Sequence, residues 1–483
     1  MPDSRVPELL RQAEQGLRDG RTAAAAAAYR KALALEPGLA DAWFNLAWLH
    51  RAERDFSAAL DAYGHAIAAG VDRPEDAHVN RAAILSDHLY RSDEAEAELR
   101  AALALNECHL PAWLGLGTLF EDLGRREDAR AAYTAALRWH PGNGRALARL
   151  ATLDTLSGHA ALAAASLHRA LPGATAAEDR ADLLFALGGA LDAAADYDTA
   201  WQAYEAANHY GRSVATVRYD RAAQQTLVDR LIATLPEPRK GAPAADGPTP
   251  IFICGMFRSG STLAEQILGR HPAIEAHGEI EAVPAIAARL QPYPEALLAL
   301  TPARSALLRD EYLAELGPVA PTAHAFTDKR CDNVLHVGLI KALFPDARIV
   351  ETIREPLDNL LSAWFLRFGD AVTYAHDLGD LTHYYLQQRR LMAHWRRLYP
   401  AEIRAFDYDA AVRDPRTEVG GLLAWLGLPW DEACLAQGAA AGVVRTASAW
   451  QVRQPLHPRS SGRWRHYRDH LVQVKAALDA AGV

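Results

Sequence analysis

The residues best suited to chemistry stand in the loop 255–262, whose sequence is GMFRSGST. The apolar run 251–254 before the loop is typical of a buried strand, and apolar residues at helical spacing follow it as far as Leu268. A strand, a tight glycine loop and a helix N-terminus together attract an anion, because backbone N–H groups converge there and the helix dipole favours negative charge. The pattern therefore predicts a phosphate-binding loop with the ligands Gly255, Arg258, Ser259, Gly260, Ser261 and Thr262.

The loop differs at one position from the G-x-x-x-x-G-K-[ST] pattern that binds nucleoside triphosphates. Ser261 stands where that pattern has its lysine, and Arg258 supplies a cation three residues earlier. Kinases and NTPases depend on the loop lysine together with Mg²⁺. The departure favours a chemistry other than ATP or GTP hydrolysis, with a P-loop kinase or NTPase as the alternative.

A second candidate element follows a later apolar run. The predicted strand ends at Arg354, Pro356 fits the first turn of a helix, and Ser362 lies eight residues after the arginine. From residue 250 onward such runs alternate with helical patterns: the predicted strands are 251–254, 348–353 and 402–408, and the predicted helices are 264–270, 357–365 and 381–398. Alternation of this kind predicts a mainly parallel sheet with helices on both faces and ligands beyond the strand ends.

The two elements together resemble the sulfotransferase family. In that family the first loop holds the 5′-phosphosulfate of 3′-phosphoadenosine 5′-phosphosulfate (PAPS), and an Arg–Ser pair, here Arg354 and Ser362, holds its 3′-phosphate. Further similar segments are 327–329 (the lysine motif of tyrosylprotein sulfotransferases), 408–415, 448–455 and 460–464. The resemblance covers about 250–471. It implies PAPS as cosubstrate, no required metal, and the further nucleotide ligands Tyr408, Ser460, Gly462 and Arg463.

Sulfuryl transfer to a hydroxyl needs a base for the acceptor proton, positive charge around the transferred group and stabilisation of the departing phosphate. Arg258 and the loop N–H groups suit the leaving phosphate. Lys329 is the expected cation near the bridging oxygen, and Ser448 the expected hydrogen-bond donor there.

The base is expected just after the first helix, in the segment 277–281. Tyrosylprotein sulfotransferases and several carbohydrate sulfotransferases use a glutamate in this region, and the Gly-Glu pair 278–279 resembles theirs. This resemblance favours Glu279 as the base. Glu281 and His277 are the alternatives.

The first half of the chain repeats itself at intervals of 34 to 37 residues. Each repeat has an alanine, then four positions later a large residue, then three positions later another alanine; the large residues are Tyr29, Tyr63, Leu99, Tyr133, Leu167 and Tyr204. Small residues at those places let two helices approach closely, while the large residue fills the gap between units. The pattern closely resembles the tetratricopeptide repeat, and it implies an all-α solenoid whose concave face binds a peptide or another subunit.

The chain is therefore expected to be multidomain. An N-terminal all-α tetratricopeptide solenoid of about six repeats covers 5–212, and a capping helix with a Pro/Gly-rich linker covers 213–249. An α/β, P-loop-like sulfotransferase domain with a mainly parallel sheet covers 250–475. Proteins that join the two parts form a bacterial group, which this chain resembles.

Composition narrows the expected partners. The net charge of −9 speaks against a general nucleic-acid binder, and no apolar run approaches the roughly 20 residues of a membrane span. No secretory signal is visible and the four cysteines are far apart, so a cytoplasmic protein without a disulfide framework or a cysteine zinc site is expected. A homo-oligomer is left open.

The acceptor is expected to bear a hydroxyl. The repeat array favours a peptide or protein tyrosine by analogy, and a carbohydrate or small molecule is the alternative. A third reading is a scaffold whose sulfotransferase-like domain is inactive. The complete set of expected site residues argues against that reading.

Overall fold

The computed structural model describes residues 3–238, 241–243, 247–436 and 460–483. Ser448 and the segment 448–455 lie outside the described residues. The chain divides into two compact units, one of residues up to Leu153 and one that begins at Asp154. The second unit therefore begins inside the predicted repeat array.

The first unit consists of helices joined by short turns, and its helices are α1 (Val6–Arg18), α2 (Thr22–Leu35), α3 (Ala40–Ala52), α4 (Phe56–Ala68), α5 (Pro74–Asp87), α6 (Ser92–Leu105), α7 (Leu110–Asp122), α8 (Arg126–Trp139) and α9 (Gly144–Leu156), within which the division falls. Consecutive helices pack in antiparallel pairs, as a helical repeat requires. The expected N-terminal helical array is confirmed.

The repeat residues account for the close packing within each pair. Tyr63 and Tyr133 are fully buried, and the alanines around them have almost no exposed surface. The ring of Tyr133 lies so close to Gly117 that a Cβ on this glycine would stand 2.3 Å from the ring. A side chain larger than hydrogen at this point would push the two helices apart.

The second unit begins with the helices α10 (Ala160–Ala170), α11 (Ala177–Ala193), α12 (Tyr197–Val214) and α13 (Arg221–Thr234). The aromatic face of α12 packs on the part of the unit that follows residue 250. Trp201 lies against Trp364 with ring centroids 4.3 Å apart, and Tyr204 stacks on Phe365 at 3.8 Å. The amide of Asn208 donates a hydrogen bond to the Trp364 carbonyl at 2.9 Å.

A parallel sheet forms the centre of the second unit. Its strands are β1 (Thr249–Gly255), β2 (Ile274–Ala276), β3 (Ala325–Lys329), β4 (Arg348–Ile353) and β5 (Ile403–Asp407). Their spatial order is β2-β3-β1-β4-β5, and every pairing is parallel. The expected parallel sheet is confirmed, and β4 has the predicted bounds.

Helices cover both faces of this sheet: α14 (Ser261–Leu268), α15 (Ala282–Arg289), α16 (Pro302–Leu316), α17 (Val337–Leu343), α18 (Pro356–Trp364), α19 (Leu378–Leu398), α20 (Tyr408–Arg413), α21 (Pro415–Leu426) and α22 (Val472–Ala480). Short 3₁₀ helices are Leu171–Gly173, Glu295–Ala299, Cys331–His336, Asp370–His376, Glu432–Leu435 and Arg463–His470.

Alternate residues of β1 enter two separate cores. Ile251 and Ile253 pack in the core that contains α14 and α21, while Phe252 and Cys254 pack in the core that contains α17 and α19. Because both faces are buried, the strand is apolar at successive positions. Within the described ranges, no helix is long and apolar enough to cross a bilayer.

Candidate active site

The predicted site residues lie at one edge of the sheet, where the parallel strands end. The loop 256–260 follows β1, Glu279 lies three residues after β2, and Lys329 is the last residue of β3. Arg354 follows β4, and Tyr408 follows β5. This edge is where open parallel sheets bind ligands. Since β1 lies between β3 and β4, the loop separates Lys329 and Glu279 on one side from Arg354 and Tyr408 on the other.

The loop after β1 has a strained and crowded backbone. Gly255 and Gly260 have φ angles of 150° and 104°, which favour glycine. A Cβ on Gly255 would lie 2.5 Å from Thr352 Oγ1, and one on Gly260 would lie 2.8 Å from the ring of Tyr408. Arg258 also has a positive φ, 70°, which is uncommon outside glycine.

Side chains from neighbouring elements hold this backbone in place. The Ser259 hydroxyl donates to the Met256 carbonyl at 2.6 Å and lies 2.6 Å from Thr352 Oγ1. Asn359 Nδ2 donates to the Phe257 carbonyl at 2.7 Å. Of the predicted ligands, Ser259 therefore uses its side chain to shape the loop. Its neighbours Ser261 and Thr262 form the first turn of α14, whose N–H groups point out of the helix end.

Arg258 joins the loop to the second predicted element. Its Nε donates to Ser362 Oγ at 3.2 Å, and its carbonyl accepts a hydrogen bond from Arg354 Nη1 at 3.3 Å. The structure thus brings together three predicted phosphate ligands from two separate elements. Burial, and then the charge of Arg354, lower the pKa of Arg258 to about 10. Two neighbouring cations in a sheltered place favour a bound anion.

Arg354 is held between Tyr408 and the segment that follows residue 460. Its guanidinium lies 4.8 Å from the centre of the Tyr408 ring, and its Nη2 donates to the Ser460 carbonyl. Among the described residues, none accepts a hydrogen bond from the buried Arg354 Nε. A buried, charged donor without a partner costs free energy, and a phosphate oxygen would satisfy it.

Asp358 fixes the segment 460–464 against α18. Its carboxylate accepts hydrogen bonds from the backbone N–H of Gly462 and, at 2.7 Å, from that of Trp464. Burial raises the pKa of Asp358, which the two N–H groups oppose. The sequence analysis did not single out Asp358. The sequence does show a carboxylate in the first turn of the helix that follows Arg354, and this position could have indicated its role.

On the other side of the loop, Lys329 and Glu279 form an ion pair. Lys329 Nζ lies 2.5 Å from Glu279 Oε1, and the side-chain exposures are 2% for the lysine and 44% for the glutamate. Burial opposes the charge on Lys329, but the carboxylates of Glu279 and Glu265 outweigh it and raise the pKa of the lysine. A buried cation and an accessible carboxylate are therefore side by side.

Glu265, on α14, is a buried site residue that the sequence analysis missed. Its Oε1 accepts hydrogen bonds from the Gly278 N–H at 3.0 Å and from Thr327 Oγ1 at 3.2 Å. Burial raises its pKa, and the charge of Lys329 opposes that rise. The carboxylate thus ties the helix after the phosphate-binding loop to the backbone just before Glu279. Its position among the apolar residues of α14 was the available signal.

The two alternative bases have other partners. Glu281 pairs with Arg330. His277 Nε2 lies 3.4 Å from Glu275, and burial lowers the pKa of the imidazole, an effect which Glu275 opposes. Among the described ion pairs, Lys329 is joined to Glu279 and to neither of these two residues. No group of three or more His, Cys, Asp and Glu side chains within the described ranges is placed to hold a metal ion.

Comparisons with known proteins match the two parts of the chain separately. Residues 250–432 match the model of the sulfotransferase family, and residues 110–143 match the model of the tetratricopeptide repeat. An uncharacterised protein of Aquifex aeolicus (strain VF5) is 30% identical over 314 residues, which are 62% of this chain. The chain spans only 41% of the length of that relative.

The solved structures that match parts of this chain come from both classes. The sulfotransferase domain of the Synechococcus PCC 7002 olefin synthase is 21% identical, with a TM-score of 0.36, over 47% of this chain and 91% of that domain. The sulfotransferase domain of the curacin biosynthetic pathway is 16% identical, with a TM-score of 0.35, over 48% and 99%. The tetratricopeptide protein YrrB is 20% identical, with a TM-score of 0.28, over 40% and 89%. The family match and the observed architecture agree: this chain joins tetratricopeptide repeats to a domain of the sulfotransferase family.

Proposed function

We propose that this protein transfers the sulfuryl group of PAPS to a hydroxyl acceptor. The observation that carries the proposal is the division of the site by the loop after β1. Arg354 and Ser362 lie together with Arg258 of the loop on the β4 side, and the Lys329–Glu279 ion pair lies on the β3 side. A donor with a phosphate at one end and a transferable group at the other needs ligands of these two kinds at two separate places.

The residues present fit the donor nucleotide. The Nε of Arg354, which has no acceptor among the described residues, and the hydroxyl of Ser362 would bind its 3′-phosphate, with Arg258 between them and the loop N–H groups. The N–H groups of the loop and of the first turn of α14 would bind its 5′-phosphate. Tyr408 packs against both Gly260 and Arg354 and would keep their spacing fixed.

The chemistry follows from the other side of the loop. PAPS supplies the sulfuryl group, and 3′-phosphoadenosine 5′-phosphate (PAP) leaves. As the acceptor oxygen bonds to sulfur, the bond from sulfur to the bridging phosphate oxygen breaks, and the acceptor proton passes to Glu279. Lys329 stabilises the charge that develops on the bridging oxygen. Because the lysine is buried and the glutamate is partly exposed, the proton acceptor is the member of the pair that an incoming hydroxyl can reach.

The acceptor is proposed as a hydroxyl of a peptide or protein, presented with the help of the repeats. Tetratricopeptide arrays offer an extended concave surface, and this supports a chain-like acceptor more than a small phenol. A carbohydrate hydroxyl would meet the same base and cation. Labelled-sulfate transfer from PAPS into a cell lysate, sorted into protein, glycan and small molecules, distinguishes these acceptors.

Nucleotide binding provides the first test. PAP at 100 times its dissociation constant should add about 2.7 kcal/mol to the free energy of unfolding, and the increase should not need Mg²⁺. ATP at the same concentration should raise the melting temperature much less, with or without Mg²⁺. Equal stabilisation by ATP, or a strict need for Mg²⁺, would contradict the proposal and favour a P-loop kinase or NTPase.

A further inference from the structure

Arg463, one of the expected nucleotide ligands, is engaged by a residue of the repeat helices. Its Nε donates to Asp192 Oδ1 at 3.1 Å, and its Nη2 lies 2.6 Å from Asp192 Oδ2. Asp192 lies near the end of α11, and its side chain is 15% exposed. The Tyr467 hydroxyl donates to the same carboxylate at 2.5 Å. A two-pronged arginine–carboxylate pair of this kind fixes orientation as well as distance.

Aromatic rings enclose this ion pair. The guanidinium of Arg463 lies 4.9 Å from the centre of the Phe365 ring, which stacks on Tyr204 of α12. Tyr467 meets Phe365 edge-on at 5.0 Å. Burial opposes the charge on Arg463, but Asp192 outweighs it and raises the pKa of the arginine. The side chains of Arg463 and Asp192 are 30% and 15% exposed, so the pair is partly sheltered and salt weakens it less than a fully exposed pair.

The backbone next to Arg463 is part of the candidate nucleotide site. The N–H groups of Gly462 and Trp464, on either side of it, both donate to Asp358 of α18. Two residues further back, the Ser460 carbonyl accepts from Arg354. Through Arg463, the repeat helices therefore hold the segment 460–464, whose Ser460 carbonyl positions Arg354.

We propose that Asp192 is a positioning residue for the donor nucleotide: through Arg463 it holds the segment 460–464 in the place that aims Arg354 at the 3′-phosphate. The last pair of repeat helices then belongs to the binding machinery of the transferase. This inference rests on the proposed function, because it assigns Arg354 to a 3′-phosphate.

The physical reason is the isolation of Arg463. Without Asp192 the half-buried guanidinium would lose the carboxylate that neutralises it, and the segment would shift to expose it more fully to water. Moving the segment withdraws the Ser460 carbonyl from Arg354. The arginine then loses the partner that sets its direction, and affinity for the 3′-phosphate falls more than affinity for the rest of the nucleotide.

The test compares two substitutions on the same helix. Asp192→Asn removes the charge that holds Arg463. Asp182→Asn is the matched control, because Asp182 also lies on α11 but pairs with Arg367 of the part after residue 250 and not with Arg463. Dissociation constants for PAP and for AMP, which lacks the 3′-phosphate, are measured by calorimetry on the full chain, together with melting temperatures.

Asp192→Asn should weaken PAP binding by about tenfold or more, equivalent to about 1.4 kcal/mol, and change AMP binding by less than about threefold. Asp182→Asn should change both by less than about threefold. The inference would be overturned if Asp192→Asn kept the wild-type ratio of AMP to PAP dissociation constants. Tighter PAP binding by this variant would also overturn it. If Asp192→Asn does not fold, Tyr467→Phe takes its place, with a smaller loss of the same selectivity as the supporting result and unchanged selectivity as the contrary one.

Failure of the proposed function gives a different result. The wild-type protein would then show no preference for PAP over AMP, whatever the variants do. A wild-type preference that survives Asp192→Asn intact contradicts only the role of Asp192.

Discussion

Replacing Arg354 with alanine should remove most of the protein's preference for a 3′-phosphorylated nucleotide. Arg354 is 9% exposed and lies beside Arg258, and its Nε has no hydrogen-bond partner among the residues that the structure describes. A bound 3′-phosphate would supply that partner, whereas AMP has no group to offer there.

The magnitude follows from the number of bonds that are available. A hydrogen bond to a charged group contributes about 1.5–3 kcal/mol. One such bond from Nε corresponds to a PAP affinity about 12- to 150-fold weaker in Arg354→Ala, and a second bond would increase the loss. AMP binding should weaken by less than about threefold. This small loss would come from slight movement of the Arg258 carbonyl, which Arg354 contacts.

The assay is isothermal titration of the same protein with PAP and with AMP at one ionic strength, since phosphate binding depends on salt. Arg348→Ala provides the matched control. Arg348 begins β4, the strand that Arg354 follows, so it lies at the opposite edge of the sheet, where it donates to the Ala401 carbonyl at 3.0 Å. This variant should bind both nucleotides as the wild type does.

Two results would refute the reasoning. A loss of AMP binding as large as the loss of PAP binding would mean that Arg354 supports the whole pocket and not the 3′-phosphate. An equal loss of PAP affinity in Arg348→Ala would mean that net positive charge, and not the position of Arg354, governs the affinity.

Three further predictions concern the base, the repeats and a buried carboxyl. Glu279→Gln should lower kcat by about 10²–10⁴-fold while PAP affinity stays within about twofold, and unchanged turnover would exclude Glu279 as the base. Gly117→Ala should lower the free energy of unfolding by about 1–3 kcal/mol in urea denaturation, because its Cβ would meet the Tyr133 ring. Gly142→Ala, which has open space around it, should change that free energy by less than about 0.5 kcal/mol, and a similar loss in both would contradict the packing argument. Burial raises the pKa of Asp328 to about 8, so the folded state binds more protons than the unfolded state between about pH 4 and 8. The free energy of unfolding of the wild type, relative to that of Asp328→Asn, should therefore fall as the pH rises from about 4 to 8. A rise over the same range would contradict the argument.

Local sequence pattern was enough to predict the elements on either side of the loop after β1. The signals are the apolar run of β1, the glycines of the loop and the helical spacing after it, and they all lie within about 20 residues of one another. The same holds for β4 and α18, whose predicted bounds differ from the observed ones by at most one residue. Both elements bury apolar side chains at regular intervals, and this is the signal that a sequence shows directly.

Two strands escaped prediction for physical reasons. β2 has three residues, too few to show a period. β3 is fully buried but ends in Thr327, Asp328 and Lys329, whose polar groups are satisfied by side-chain partners within the fold. A hydrophobicity pattern cannot recognise a strand of this kind. The partners themselves come from distant parts of the chain, and only the folded arrangement shows them.

The same limit explains the contacts of Arg258 and Arg463. Their types and positions in the motifs were predicted, but the residues that they touch were not. Arg258 reaches Ser362 across 104 positions of sequence, and Arg463 reaches Asp192 across 271. Spacing within a motif carries no information about such distances, because they depend on how the helices pack on the sheet.

The packing of α12 on the α/β part determines where the chain can be truncated. A fragment that started at residue 250, where the family match begins, would lose the rings that cover Trp364 and Phe365, which are 4% and 6% exposed in the whole protein. Such a fragment would carry a new apolar patch and should self-associate. A fragment meant to be expressed alone should therefore begin near residue 154, so that it keeps the helices α10 to α13.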